Sequence, residues 1–214
     1  MPTTKAIGFP ARPAENGLRI LAALSVAVLL IPLCAAAQQE NLQLDSAHTS
    51  VKFTLGDVLH TVHGTFQLKR GSLQLDSPGK LTGEIVVDAK SGESGSGTRD
   101  RKMHKEVLES DHYPEIAFRP DRVEGAVTSP GKSSVRVHGI FSIHGVDREV
   151  TVPAEVEISA TTWTAMVHFT VPYEKWGMKN PSTMFLRVDD SVQIDLIAGG
   201  TVVKHAAAVP DSAH

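Results

Sequence analysis

Residues 133–158 read SSVRVHGIFSIHGVDREVTVPAEVEI, and this stretch decides the fold. Val135 and Val137 alternate with Arg136 and His138, and beyond His144-Gly145 the same beat returns in Val150, Val152, Val156 and Ile158. In an extended chain successive side chains point to opposite faces, so a period of two makes one face apolar and the other wet. Glycine after a polar residue marks a turn between the two runs. The segment is a pair of half-buried antiparallel strands.

The pattern extends outward in both directions. Val51, Phe53 and Leu55 alternate with Lys52 and Thr54, and Leu73 and Leu75 with Ser72, Gln74 and Asp76. Near the other end Val192, Ile194 and Leu196 alternate with Gln193 and Asp195. Turn signals recur at Lys69-Arg70-Gly71, Ser77-Pro78-Gly79 and Ser129-Pro130-Gly131. Such spacing favours a meander, a sandwich or an up-and-down barrel, and the absence of βαβ units argues against a parallel sheet.

One segment breaks the beat. After a Gly/Ser loop over 91–97, residues 98–110 read as a helix. Thr98 is the expected N-cap, Asp100 lies in the first turn, and Met103, Val107 and Leu108 form a narrow apolar stripe. Tyr113-Pro114 ends it, because a residue before proline avoids the helical region. The stripe suits a helix closing one end of a barrel and equally one packed on its outside.

The N-terminal residues 1–37 read as a secretory signal peptide. Lys5, Arg12 and Arg19 give a positive start interrupted by Glu15, residues 20–33 are almost wholly apolar, and Ala35-Ala36-Ala37 is an A-x-A cleavage signal. A run of about 14 apolar residues falls short of the roughly 20 that span a bilayer. Cys34, the single cysteine, would leave with the signal, so neither disulfides nor thiol chemistry is expected. The expected product is periplasmic or secreted, cut near Ala37. Residues 38–198 form the expected barrel domain, and 199–214, opening on Gly199-Gly200, a flexible tail.

The 214 residues carry a net charge of −3, and no Lys/Arg-rich face or tail suggests nucleic acid. Removing three bases and one acid with the signal leaves 18 bases against 23 acids, a net charge of −5.

Short motifs in a fixed order now carry a resemblance. Ser50-Val51-Lys52-Phe53 is followed by Val62-His63-Gly64-Thr65-Phe66, then Thr98-Arg99-Asp100-Arg101-Lys102-Met103-His104 and Tyr113-Pro114-Glu115-Ile116-Ala117-Phe118. Residues 137–146 and Val188-Asp189-Asp190-Ser191-Val192-Gln193-Ile194 complete the series. From about Leu42 to Leu196 the chain resembles the YceI-like family. The resemblance implies an all-β, lipocalin-like, eight-stranded antiparallel β-barrel with one short inserted α-helix. It also implies an apolar tunnel of the kind that holds a polyisoprenoid in some members. The departures at His60, Val62-His63 and Pro172-Tyr173-Glu174-Lys175-Trp176-Gly177 fall in rim segments, where they bear on ligand identity more than on fold.

Eight strands can enclose one ligand or be filled by their own side chains, and composition does not choose between the two. With a tunnel, the expected lining is Phe53, Phe66, Ile85, Val87, Phe118, Phe141, Met166 and Phe169. Arg99 and Asp100 are the polar pair expected at its mouth, to meet a head group or gate access. The expected function is that of an exported binding protein, a carrier or store for a polyisoprenoid, quinone-like or fatty amide molecule. The expected partner is therefore a long-chain apolar small molecule, with an isoprenoid or isoprenoid quinone held non-covalently. The other reading is an exported stress-related barrel with a filled core and no ligand. Transient membrane contact and homodimerisation are both compatible with the sequence.

Catalytic and metal-binding patterns are missing. Gly92-Glu93-Ser94-Gly95-Ser96 lacks the last glycine of a nucleophile elbow. His60 and His63, three apart on a strand, point to opposite faces, and no H-E-x-x-H or Cys/His cluster occurs. Neither an enzyme nor a metal site is expected.

Overall fold

The computed structural model describes residues 40–56, 60–76, 79–184 and 187–204. The signal-peptide reading of 1–37, and Cys34 with it, lies outside them. Nine strand segments follow in order: β1 (Glu40–Leu44), β2 (Ser50–Gly56), β3 (Thr61–Asp76), β4 (Lys80–Glu93), β5 (Glu115–Glu124), β6 (Gly131–Ile143), β7 (Val146–Ile158), β8 (Thr162–Val171) and β9 (Val192–Lys204). All pairings are antiparallel, and the sheet closes on itself through β3–β4 and β1–β9.

The nine segments fill eight positions around the ring. β1 and β2 share one position, because both pair with β3 and with β9. The first half of β3 pairs with β2 (Val51 with Phe66) and its second half with β1 (Leu42 with Leu73). β9 does the same, pairing Ser50 with Ile197 and Leu44 with Gly200. The break between them is a 3-10 turn, Ser46–His48, where Asp45 Oδ1 accepts the Ala47 amide at 2.9 Å and Asp45 Oδ2 meets His48 Nδ1 at 2.7 Å. A side chain that captures a local backbone N–H diverts the chain from the ladder.

Gly199 and Gly200 lie opposite this break and belong to β9, which corrects their reading as the start of a tail. A Cβ on Gly200 would sit 1.8 Å from the Gln43 carbonyl oxygen, and one on Gly199 2.8 Å from that of His48. Glycine inside a strand can mark close backbone approach as well as an end. Residues 199–204 are barrel; residues 205–214 lie outside the described residues.

Lys69-Arg70-Gly71 is likewise no turn. It lies inside β3 at a register shift between Leu68 and Arg70, so the glycine signals an irregularity in a long strand. Ser77 and Pro78 lie outside the described residues, but Gly79 stands just before β4 at φ +95°; Ser129-Pro130 lie between β5 and β6, and His144 (φ 54°) with Gly145 (φ 71°) makes a two-residue hairpin between β6 and β7. Two positive φ angles give the twist that such hairpins need.

The helix is shorter than expected. α1 spans Gly97–Lys102 and is capped at Ser96, which has extended backbone angles, so Thr98 is inside the helix and not its cap. A π turn, Met103–Val107, continues it, closed by the Leu108 amide on the Met103 carbonyl at 2.9 Å. β4 meanwhile runs on to Glu93, taking the first three residues of the expected loop.

Candidate functional site

The alternating apolar sets all face inward, and they do not fill the barrel. Two clusters of side chains lie at different heights along the axis. One gathers Leu42, Leu73, Leu81, Ile158 and Trp163, where β1, β3 and β4 meet the ends of β7 and β8. The other gathers Phe141, Ile143, Val171, Tyr173 and Met178, packed against Met103 and Val107 of the π turn. A cavity of about 540 Å³ runs between them and is lined by both. That volume lies within the roughly 300–1,000 Å³ of small-molecule pockets. The inward-facing Phe66, Val87, Phe118 and Phe169 are only half-buried, the mark of a hollow interior. The filled core of the second sequence reading is not what the structure has.

Seven of the eight expected residues line this cavity: Phe53, Phe66, Ile85, Val87, Phe118, Phe141 and Phe169. Met166 does not. It is 58% exposed on the outer face of β8, paired with Glu155 and Ile197, while Ala165, Val167 and Phe169 point in. Residues 166 and 169 have opposite parity on a strand, so both could not face the interior. The ring contacts in the lumen are tilted or edge-on, Phe53 to Phe66 at 5.4 Å and Phe141 to Phe169 at 5.7 Å between centroids.

Polar groups gather at one end. Ser94, Ser96, Thr98, Arg99 and Lys102 come from the β4–α1 segment, and Thr183 from the connection between β8 and β9. Of the described lining residues, the exposed ones are Thr98, Arg99 and Thr183, so the cavity reaches solvent here. Arg99 is held at this mouth by Ser94, giving Nε to its Oγ at 2.8 Å and Nη2 to its carbonyl at 2.9 Å.

Asp100 turns away from the cavity. Its Oδ1 accepts the Ser94 amide at 2.9 Å and the Ser94 hydroxyl, so its role is to shape the loop that positions Arg99. Lys102 takes the place expected of Asp100, with Nζ donating to the Pro181 carbonyl at 2.6 Å. Its spacing was the signal that could have found it, since residues three apart on a helix share a face.

The β8–β9 connection covers the rest of this end. Tyr173 donates its hydroxyl to the Asp189 carbonyl oxygen. Burial, with smaller help from the carboxylates of Glu174, Asp190 and Asp189, pushes the phenol up to about 12, so it stays a protonated donor at neutral pH. Trp176 packs against Phe141 at 5.9 Å and lies under the Arg148 guanidinium at 5.5 Å. α1 and the π turn are tied to β4 by His104, whose Nε2 meets the Gly92 carbonyl at 2.8 Å and Nδ1 the Ser110 hydroxyl at 3.1 Å. Among the described residues no group of three His, Cys, Asp or Glu side chains is placed to hold a metal ion.

A closed antiparallel barrel with a hollow apolar lumen, capped and opened at one end by a short helix, defines a lipocalin-like class of binding fold. Within that class the assignment is specific: a sequence profile of the YceI-like domain matches residues 42–198, and the chain belongs to that family. It is similar to a UPF0312 protein of Vibrio parahaemolyticus, 26% identical over 131 residues that cover 59% of this chain and 67% of the relative. A UPF0312 protein of Pseudomonas savastanoi is 27% identical over 139 residues, 63% of this chain and 70% of that one. The fold is shared with the crystal structure of Burkholderia cenocepacia BcnA, at TM-score 0.61 and 19% identity over 74% of this chain and 99% of that one. It is also shared with a polyisoprenoid-binding domain from Saccharophagus degradans implicated in plant cell wall breakdown. That match has TM-score 0.59 and 16% identity, and covers 76% of this chain and 98% of that domain.

Proposed function

We propose that this protein is an exported carrier or store for a long apolar molecule of the polyisoprenoid class, held lengthwise in the barrel with its head at the α1 end. The observation that carries this reading is the cavity of about 540 Å³ with its polar lining gathered at the mouth. Such a lining binds by excluding water, worth about 0.8 kcal/mol per buried methylene. Association costs and the competing bilayer cancel most of that gain, so length match and the head group set selectivity. The description of the Saccharophagus degradans domain as polyisoprenoid-binding supports the ligand class. At the mouth the Ser94 hydroxyl donates to Asp100 and accepts from Arg99, ties that shape the loop, and the apolar lining beyond them favours binding over catalysis. Residues 1–37 support export to the periplasm or beyond, and a mouth at one end suits brief contact with a bilayer to load and unload the tail.

Native mass spectrometry of protein exported by a bacterial host, followed by organic extraction, tests the reading. A stoichiometric isoprenoid on a chain beginning at Gln38 is the expected result. A bare mass, with no uptake of offered prenols or isoprenoid quinones, would sink it. A chain beginning at a lipid-modified Cys34 would overturn the soluble location.

A further inference from the structure

We propose that His144 and Glu109 form a latch between the helical cap and the barrel rim, one that tightens in acid and slows exchange through the mouth. Among the described residues these two are the non-glycines with positive φ, at 54° and 46°. They also face each other, with His144 Nε2 3.7 Å from Glu109 Oε1. Such a conformation is uncommon outside glycine and persists where the surroundings hold it. Glu109 ends the helical segment, its carbonyl accepting the His112 amide at 2.8 Å and the Tyr113 amide at 3.0 Å. His144 opens the β6–β7 hairpin. The Tyr113 ring packs on the imidazole at 4.6 Å, and a Cβ on Gly145 would lie 2.4 Å from that ring, so the two turns are fitted to one another.

The imidazole is placed to use a proton. Its Nε2 is buried without a hydrogen-bond partner, while the Glu109 side chain is 45% exposed. At 3.7 Å the two make no hydrogen bond. A protonated histidine carries N–H on both ring nitrogens, so a small shift gives Nε2 a charge-assisted bond to the carboxylate. The other charged groups of the two turns have partners of their own. Asp111 pairs with Lys90 at 2.8 Å, Asp147 with Ser142 and Arg119, and Arg148 donates to the Trp176 carbonyl at 3.1 Å. In the cap, Glu106 pairs with Lys179, His104 is held between Gly92 and Ser110, and the His112 ring meets Tyr113 at 6.5 Å.

The bond is present while His144 is protonated and is lost as pH rises through its titration. It ties the segment that carries Arg99, Lys102, Met103 and Val107 of the mouth to the rim of β6 and β7. Neither His144 nor Glu109 lines the cavity, so the latch acts on opening and not on the apolar contacts. The consequence for a bound molecule rests on the apolar-ligand reading above; the latch itself does not.

Two readouts on the full exported protein keep these apart. Hydrogen exchange of the Ser110 and Tyr113 amides, corrected for the intrinsic rate, follows opening of the cap with no ligand present. Stopped-flow displacement of N-phenyl-1-naphthylamine, a neutral apolar probe, by geranylgeraniol follows exchange through the mouth. Amide protection and probe lifetime are both expected to rise roughly three- to tenfold from pH 8 to pH 5. Their midpoint should match the His144 ring titration seen by NMR. His144→Asn, which tolerates positive φ and does not titrate, should remove the step, and Glu109→Gln should remove most of it.

Protection that ignores pH in the unaltered protein overturns the latch. So does a step that survives His144→Asn, which would belong to His104, or one kept in full by Glu109→Gln. A step in protection with an unchanged probe lifetime overturns its control of the mouth. A step in protection with no probe uptake at either pH overturns the carrier reading and leaves the latch standing.

Discussion

Gly200 carries no side chain because none fits. Its missing Cβ would lie 1.8 Å from the Gln43 carbonyl oxygen, and backbone atoms cannot swing aside as a flexible side chain can. Gly139 is in the same position, 2.4 Å from the Arg119 carbonyl oxygen. Gly95 differs: nothing lies within 4 Å of its Cβ, and only its φ of +75° favours glycine. Gly200→Ala should therefore cost about 1–3 kcal/mol, the usual range for overpacking, read as a lower urea midpoint at unchanged slope. A loss under about 0.5 kcal/mol, the range of ordinary surface changes, would mean that β1 and β9 can part without penalty.

Among the elements, β3 to β7 are laced on their outer face by ion pairs. Arg70 reaches Glu115 at 2.8 Å and Glu84 at 3.2 Å, Lys69 reaches Glu115 at 2.9 Å, and Arg119 joins Glu84 at 3.2 Å to Asp147 at 3.4 Å. Single exposed pairs contribute little, but here each carboxylate of the Glu84–Glu115 pair answers two cations. Hydrogen bonds from Arg70, then from Lys69, hold the Glu115 carboxyl at about 2, below its ordinary 4.5. A depressed carboxyl pKa contributes stability that is present above 4.5 and fades as pH falls through about 2. The melting temperature should thus fall over that window, and Glu115→Gln should flatten part of the fall. A variant with the same slope from pH 5 to pH 2 as the parent would show the network to be idle.

At the scale of the whole molecule, β9 bridges β2 and β8 up to Ala198, and the β1 side of the barrel closes because β9 reaches past Gly199. Residues 200–204 pair with β1, Trp163 and Thr162 of β8 pair with Gly200 and Thr201, and Val202 is buried in the cluster around Leu42. A chain ending at Ala198 should melt at a lower temperature and lose ligand uptake, because the seam between β1 and β8 would open. Circular dichroism against temperature, with the same probe-displacement assay, reads both effects. A truncated chain that melts and binds like the full one would place the wall elsewhere.

The sequence by itself determined the class of fold, the inward residues of most strands, the one inserted helix and the family. All of these follow from period-two alternation, turn chemistry or local motif order, which are properties of neighbouring residues. It did not determine the strand broken between β1 and β2, since an Asp45 turn and the glycines that accommodate it lie about 150 residues apart. Helical spacing from Arg99 points to Lys102 in place of Asp100, but which face of α1 meets the mouth was decided by packing against β4. Hollowness was out of reach as well. The same alternating valines and phenylalanines fill a barrel or line one, and the choice rests on how far apart eight closed strands hold their walls. That distance is a property of the ring as a whole, so only the tertiary structure decided it.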